Sequence, residues 1–190
     1  MKAEGTVSAK TVHGHVRALK AFSSWLYSEG YTEDNRLSSI KLPKAPKKEI
    51  EPLTPQEIKE IDSSIDHSSP TGLRNHVIFI TALDTGLRES ELASISLGKL
   101  NLEAGYIKVM GKGAKERIVP IGKFTRMTIW HYIDTERPLP DNTASDQLFL
   151  SHSGNPITAN TIKLIFTRLA KSSGIKRLHA HLCRHTFAIN

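Results

Sequence analysis

The chain is short of cysteine, of long apolar runs and of acidic residues, and each shortage excludes a class of protein. A single cysteine, Cys183, rules out an internal disulfide framework and fits a reducing compartment, so a cytoplasmic location is expected. No apolar run approaches the ~20 residues needed to span a bilayer, and the opening MKAEGTVSAK lacks the apolar stretch of a secretory signal. No membrane partner is expected. Aromatic residues make up only 6%, and the last of the four tyrosines (Tyr27, Tyr31, Tyr106, Tyr132) is at position 132. Asp and Glu total 19 against 26 Lys and Arg, which leaves a net charge of +7. Such a surplus favours a polyanionic partner, nucleic acid first, because neutralising phosphates releases counterions. Many basic proteins never touch nucleic acid, so charge alone is a weak guide.

What is present, 38% hydrophobic and 24% charged residues over 190 positions, fits a globular protein with one good-sized core or a core and a small appendage. Residues 8–29 carry Val12, Val16, Leu19, Phe22 and Leu26 at helical spacing, with Lys10, Arg17 and Lys20 off that stripe. This reads either as a bundle helix with a solvated basic face or as a helix lying along DNA. KLPKAPKKEIEP, residues 41–52, has three prolines and four lysines and reads as a linker. Its lysines, Lys44, Lys47 and Lys48 among them, are either simply solvated or track a phosphate backbone. At Thr54-Pro55-Gln56-Glu57 a capping box with proline at the first helical position opens a new unit.

Helices are predicted over about 55–66 and 72–84, with Gly86 separating the second from a short helix. The period then changes: 106–110 and 117–121 read as strands joined by the glycine-rich turn Gly111-Lys112-Gly113-Ala114-Lys115, a β-hairpin with lysine at its tip. Helices return at about 123–136 and 158–173, and 181–190 reads as the opening of another. The predicted fold is mainly α with a small antiparallel β-sheet.

Three segments carry candidate chemistry. In Thr85-Gly86-Leu87-Arg88-Glu89-Ser90-Glu91 a glycine turn meets a helix start, so backbone N–H groups and Arg88 converge on a natural anion site, with Glu91 placed to orient the guanidinium. An ordinary surface arginine is the plainer reading. Lys112, in its glycine-flanked turn, is either a solvated charge or an ammonium able to reach a bound phosphate as a general acid, and Lys115 competes for that role. In His179-Ala180-His181-Leu182-Cys183-Arg184-His185, His181 and Arg184 are three apart and share a helical face. Together they suit binding and protonating a phosphate. Metal binding by His181, Cys183 and His185 is the rival reading, disfavoured by the charge of Arg184 and the lack of an upstream ligand cluster. Cys183 reads as a small core residue rather than a nucleophile.

TGLRESEL, GKGAKERIVPIG and HLCRHTFA resemble, in order and spacing, three signature segments of tyrosine recombinases, the phage-integrase and Xer-type group. The resemblance covers a catalytic domain over 53–190. Residues 1–45 are similar, more loosely, to part of that family's N-terminal helical DNA-clamping domain, with 41–52 as the linker. It implies an integrase-like fold and site-specific DNA recombination or integration through a 3′-phosphotyrosyl intermediate. It places Arg88, Lys112, His181 and Arg184 in the catalytic set, Lys112 protonating the leaving 5′ oxygen, with Glu91 and His185 in support. It makes Asn160, Thr161 and Lys163, on a helix resembling one that enters the major groove, candidate DNA contacts. It implies double-stranded DNA and a tetrameric synapse as partners. No cofactor and no metal are expected. In the family a tyrosine nucleophile follows H-x-x-R, whereas Asn190 comes six residues after Arg184. The expectation is therefore a chain cut before its nucleophile, with apolar surface left open at its end. A non-catalytic DNA-binding remnant is the alternative.

Overall fold

In the computed structural model, which describes residues 7–44, 50–111, 115–141 and 145–189, helices begin where side chains are available to cap them. The chain divides into two units at Glu49. In the first, α1 (Ala9–Ser28) starts at Ser8, whose hydroxyl accepts the N–H of Thr11 at 3.1 Å. Gly30, at φ 75°, turns the chain back. Lys20 Nζ donates to the carbonyls of Ser38 (2.7 Å) and Ile40 (2.5 Å), and His13 Nδ1 lies 2.7 Å from the Pro43 carbonyl, so residues 38–43 run back along the helix. Phe22 stacks on Trp25, and Tyr31 lies against Trp25 at a tilt of 41°. No residue of α1 is buried: Leu19 and Phe22, on the apolar stripe that identifies the helix, are each more than half exposed.

The second unit opens with α2 (Pro55–Ser63). Its capping box forms as the sequence predicts: Thr54 Oγ1 accepts from Glu57 N at 3.2 Å and Glu57 Oε2 from Thr54 N at 2.8 Å. Glu57 also holds Arg177 (2.6 Å), whose guanidinium donates to the carbonyls of Glu51 and Pro52. α2 stops at Ser63, short of the predicted 66, because the chain must turn through 64–69 to reach the next cap. That cap is Ser69, accepting Gly72 N at 3.1 Å, and α3 (Pro70–Thr85) starts two residues before its predicted position. α4 (Glu89–Ala93) is one short turn and a half.

The sheet has three antiparallel strands in the order β1 (Leu100–Asn101), β2 (Tyr106–Met110), β3 (Glu116–Pro120). The hairpin register pairs Val109 with Arg117 and Ile107 with Val119. β1, two residues long, is too short to carry an alternation signal and is the one strand the sequence reading lacks. α5 (Lys123–Thr135), α6 (Ala159–Ser172) and α7 (Ala180–Ile189) complete the chain. No described helix is long and apolar enough to cross a membrane.

α3 is the centre. Leu73, Val77, Ile78, Phe79 and Ala82 are buried around almost its whole circumference, and α5 and α7 pack against it while α4 packs on α6. Phe79 meets Phe166 edge-on at 6.4 Å, and Tyr132 lies against Phe149 at 6.0 Å. Each such side chain contributes about 1.5–3 kcal/mol on leaving water. Because α3 is buried and fixed, the Gly86 turn at its end is fixed too, and α7 is held beside it.

Gly72 is where the α2–α3 connection tolerates least. A β-carbon there would fall on the Asp66 carbonyl oxygen. Gly72→Ala is therefore expected to lower stability by about 1–3 kcal/mol in urea denaturation despite alanine's better helix propensity. Gly14→Ala, on the open surface of α1 with no atom within 4 Å, is expected to increase helicity by circular dichroism. Equal stability of the Gly72 variant and wild type would contradict the packing argument.

Candidate active site

The segment from Thr85 to Arg88 divides its work residue by residue. Thr85 is the last residue of α3, its hydroxyl donating to the Thr81 carbonyl at 2.5 Å. Gly86 takes the left-handed conformation, φ 58° and ψ 25°, which glycine adopts without the β-carbon clash other residues meet. Leu87 is fully buried and anchors the turn in the core. Arg88 then emerges at the start of α4 with its side chain about half exposed.

Glu91, one turn into α4, gathers what surrounds it. Its carboxylate accepts the backbone N–H of Arg88 at 2.9 Å and the Arg88 guanidinium at 3.1 Å. From β3, Arg117 makes a two-pronged contact, Nη1 to Oε1 at 2.9 Å and Nη2 to Oε2 at 3.0 Å. The Glu91 side chain is 7% exposed. Burial alone would raise its carboxyl, but the hydrogen bonds and charge of Arg117, then the N–H and guanidinium of Arg88, more than reverse this and hold it at about 2. Arg117 is correspondingly held above its ordinary value by Glu91.

Arg184 approaches from α7. Its Nη1 donates to the carbonyl of Gly86 at 2.5 Å, which sets this guanidinium beside the turn that presents Arg88. Arg88, Arg117 and Arg184 line one groove of about 340 Å³ with Thr85, Gly86 and Phe187. A three-arginine groove with a single carboxylate at its edge is suited to an anion by charge and by donor geometry.

The helix that carries Arg184 is tied at both ends of its first two turns. His179 Nδ1 accepts the N–H of Leu182 at 3.0 Å, which needs that nitrogen unprotonated. Burial, and then the neighbouring His181, push the His179 imidazole below its ordinary value, in keeping with that role. His185 Nε2 lies 2.7 Å from the Ile50 carbonyl, and Thr186 Oγ1 accepts from Leu53 N at 2.9 Å. α7 is thus stitched to the first residues of its unit.

The candidates of the sequence reading fall into three groups. Arg88, Glu91 and Arg184 come together as described. His181 is exposed on the first turn of α7, its ring stacked 6.3 Å from His179, and is outside the groove lining. His185 is occupied with Ile50. On the outward side of α6, Asn160 and Lys163 are exposed and Thr161 is half-buried, its N–H and hydroxyl engaged with Thr158 at the helix start. Arg168 and Lys171 are also exposed along α6 and were not among the candidates. Lys115 and Lys44 are exposed. Lys112, Lys47 and Lys48 lie outside the described residues.

Among the described residues, His181, Cys183 and His185 do not form a metal-holding group. Cys183 is fully buried, and burial pushes its thiol up to about 12, so it is neither ligand nor nucleophile at neutral pH. Tyr132 is buried in the core and Tyr106 sits in β2; no described tyrosine lines the groove. The residue the sequence reading missed is Arg117. Its signal was the period of two: Arg117 shares a strand face with the buried Val119, so it points inward where an apolar residue is the default.

The Glu91 cluster has a definite pH signature. A carboxyl whose folded value lies below its unfolded one adds stability that is complete above the unfolded value, about 4.3. That stability is lost as pH falls toward 2. Glu91→Gln is expected to cost on the order of 2–3 kcal/mol at pH 7. Its gap from wild type in urea denaturation should close between about pH 4.5 and 2. A gap that stays constant across that range would contradict the ion-pair account.

The sequence profile of the phage integrase family matches residues 51–190. The chain is 33% identical over 184 residues to the tyrosine recombinase XerD of Listeria monocytogenes serotype 4b (strain F2365), covering 95% of this chain and 62% of the relative. It is 32% identical over 189 residues to the tyrosine recombinase XerC of Bacillus subtilis (strain 168), covering 97% and 62%. The chain thus spans less than two thirds of the length of these relatives. Among solved structures, a Tn1549 transposon integrase in complex with transposon right end DNA superposes with a TM-score of 0.79 at 23% identity, over 95% of this chain and 66% of that one. The XerH site-specific recombinase bound to its difH substrate before cleavage superposes at 0.72 with 25% identity, over 97% and 54%. The segments that build the arginine groove all lie inside the matched region, and the chain belongs to the phage integrase family.

Proposed function

We propose that this chain holds and activates a DNA phosphodiester for the strand cleavage and rejoining of site-specific recombination or integration. Arg88 and Arg184 take the non-bridging oxygens, Lys112 protonates the leaving 5′ oxygen, and His181 assists the proton transfers. Glu91 and Arg117 position Arg88, and in the whole protein the reaction runs through a 3′-phosphotyrosyl intermediate. The observation that carries this reading is the groove that three arginines from three separate elements line together, two of them held by the Glu91 carboxylate and the third by the Gly86 carbonyl. Phosphoryl transfer to a side-chain hydroxyl needs stabilised equatorial oxygens and a protonated leaving group, and this set provides both through side chains alone.

Double-stranded DNA is the partner we assign. The support is the basic balance of the chain, its likeness to the tyrosine recombinases XerC and XerD, and the DNA bound by the XerH and Tn1549 proteins. We assign α6 to the major groove, with Asn160, Thr161 and Lys163 facing the bases or phosphates. Lys115 contacts the backbone. The first unit, with the linker lysines Lys44, Lys47 and Lys48, also binds the duplex, and the whole protein acts as a tetramer on paired sites.

Anisotropy titrations on a labelled duplex test the reading. Affinity is expected to fall steeply with salt, and Arg88→Ala to weaken binding about 3–10-fold and flatten the log–log salt slope by about 1. Salt-independent binding, or an Arg88 variant identical to wild type, would sink the proposal. Incubated with duplex DNA and resolved under denaturing conditions, the 190-residue chain is expected to yield no covalent adduct. An adduct would mean that one of the present side chains attacks, and would overturn the assignment of this chain to the phosphate-holding half of the chemistry.

A further inference from the structure

A second cluster of ligating side chains lies along α3, away from the Thr85 end that borders the arginine groove. His76 is nine residues before Thr85, about 14 Å along the helix axis. Its ring is 8% exposed, and its Nδ1 lies 2.6 Å from Asp62 Oδ1 at the end of α2. From the connecting turn, His67 brings Nε2 to 3.6 Å from the same carboxylate oxygen and to 3.1 Å from the Asp62 carbonyl. The two imidazole rings meet edge-on, 4.6 Å between centres. One ligand atom from each of Asp62, His67 and His76 lies within 4.8 Å of the other two.

Several features set this group apart from an ordinary surface pair. Among the described residues, Asp62 has no lysine or arginine within ion-pair distance; the side chains against its carboxylate are the two histidines. The three residues come from α2, the turn and α3, so the turn's conformation, pinned by the Ser69 cap and the close approach at Gly72, brings them together. Two nitrogens and one carboxylate oxygen form a ligand set suited to zinc and its neighbours, whereas magnesium and calcium prefer oxygen alone. Tetrahedral zinc with bonds of about 2.0–2.2 Å sets its ligands ~3.3 Å apart. The observed separations straddle that figure, and the partly exposed His67 ring is free to close the longer ones. Asp62 and His67 are about 40% exposed, which leaves room for water in a fourth position.

We propose that Asp62, His67 and His76 form a binding site for a zinc-class divalent cation, joining the end of α2 to the middle of α3. Nothing in the phosphate chemistry uses these residues, so the site stands independently of the proposed function. Its role is to fasten the first two helices of the second unit.

The test uses the untagged 190-residue chain, stripped with chelator and titrated calorimetrically with Zn²⁺, with Co²⁺ absorption as a second readout and Mg²⁺ as a control. One Zn²⁺ per chain is expected, with a rise in melting temperature and a Co²⁺ spectrum of nitrogen and oxygen ligation. His67→Ala, at an exposed position where folding is checked by circular dichroism, is expected to weaken binding at least about tenfold and abolish the melting shift. Asp62→Asn is expected to do the same, while His181→Ala/His185→Ala retains wild-type binding. The proposal is overturned if the Asp62 and His67 variants titrate like wild type, if Zn²⁺ binding is lost only in the His181/His185 variant, or if Mg²⁺ matches Zn²⁺.

Discussion

The buried carboxylate of Glu91 is the constraint on which the rest of the groove depends. A negative charge removed from water is costly unless compensated, and here the compensation comes from two arginines on different elements and from a backbone N–H. Arg117 belongs to β3, so the ion pair also fixes the hairpin against α4. Without Glu91, Arg88 would lose its orienting partner and Arg117 would face inward from a strand with no counter-charge. The carboxylate thus converts two flexible cations into fixed ones.

Arg184 is fixed by different means. It makes no ion pair among the described residues; its guanidinium is held by the Gly86 carbonyl, a neutral acceptor. That difference matters for what the groove can bind. A carboxylate partner would have spent the charge of Arg184, whereas a carbonyl orients the fork and leaves the charge intact. The left-handed turn at Gly86 is what exposes this carbonyl, and a β-carbon there would stand 2.6 Å from the Phe187 ring. The same glycine therefore ends α3, presents Arg88 and lets α7 approach closely enough to bring Arg184.

Much of this was legible in the residues themselves. The capping box at Thr54, the glycine at the end of α3, the change of period at 106–120 and the helical stripe of 159–172 placed the elements to within a few residues, because each signal is local. Arg88 and Glu91 were legible as a pair because residues three apart at one helix start must be neighbours. Arg117 was not, because its partner is 26 positions away and only the folded hairpin joins them. β1 was missed because two residues carry no period. The convergence of Asp62, His67 and His76 was equally hidden: their spacing of five and nine matches no single helix or hairpin, and a turn must form before they meet. The sequence pattern did identify the α1 stripe, yet periodicity reports a helix and not what covers it, and those side chains stand exposed.

In the function proposed for the groove, its charge balance decides between merely attracting DNA and stabilising a reacting phosphate. Three arginines and one carboxylate leave two positive charges. A phosphodiester carries one negative charge at rest, and negative charge grows on its oxygens as a further oxygen attacks. A groove built only for binding would be matched by one net charge. The second positive charge is a surplus that only the more highly charged arrangement matches, so in the proposed function it favours the transition state over the bound ground state, which is the condition for catalysis rather than affinity alone. That surplus exists because Glu91 is divided between two arginines and because Arg184 rests on a carbonyl. A second carboxylate in the groove would remove it.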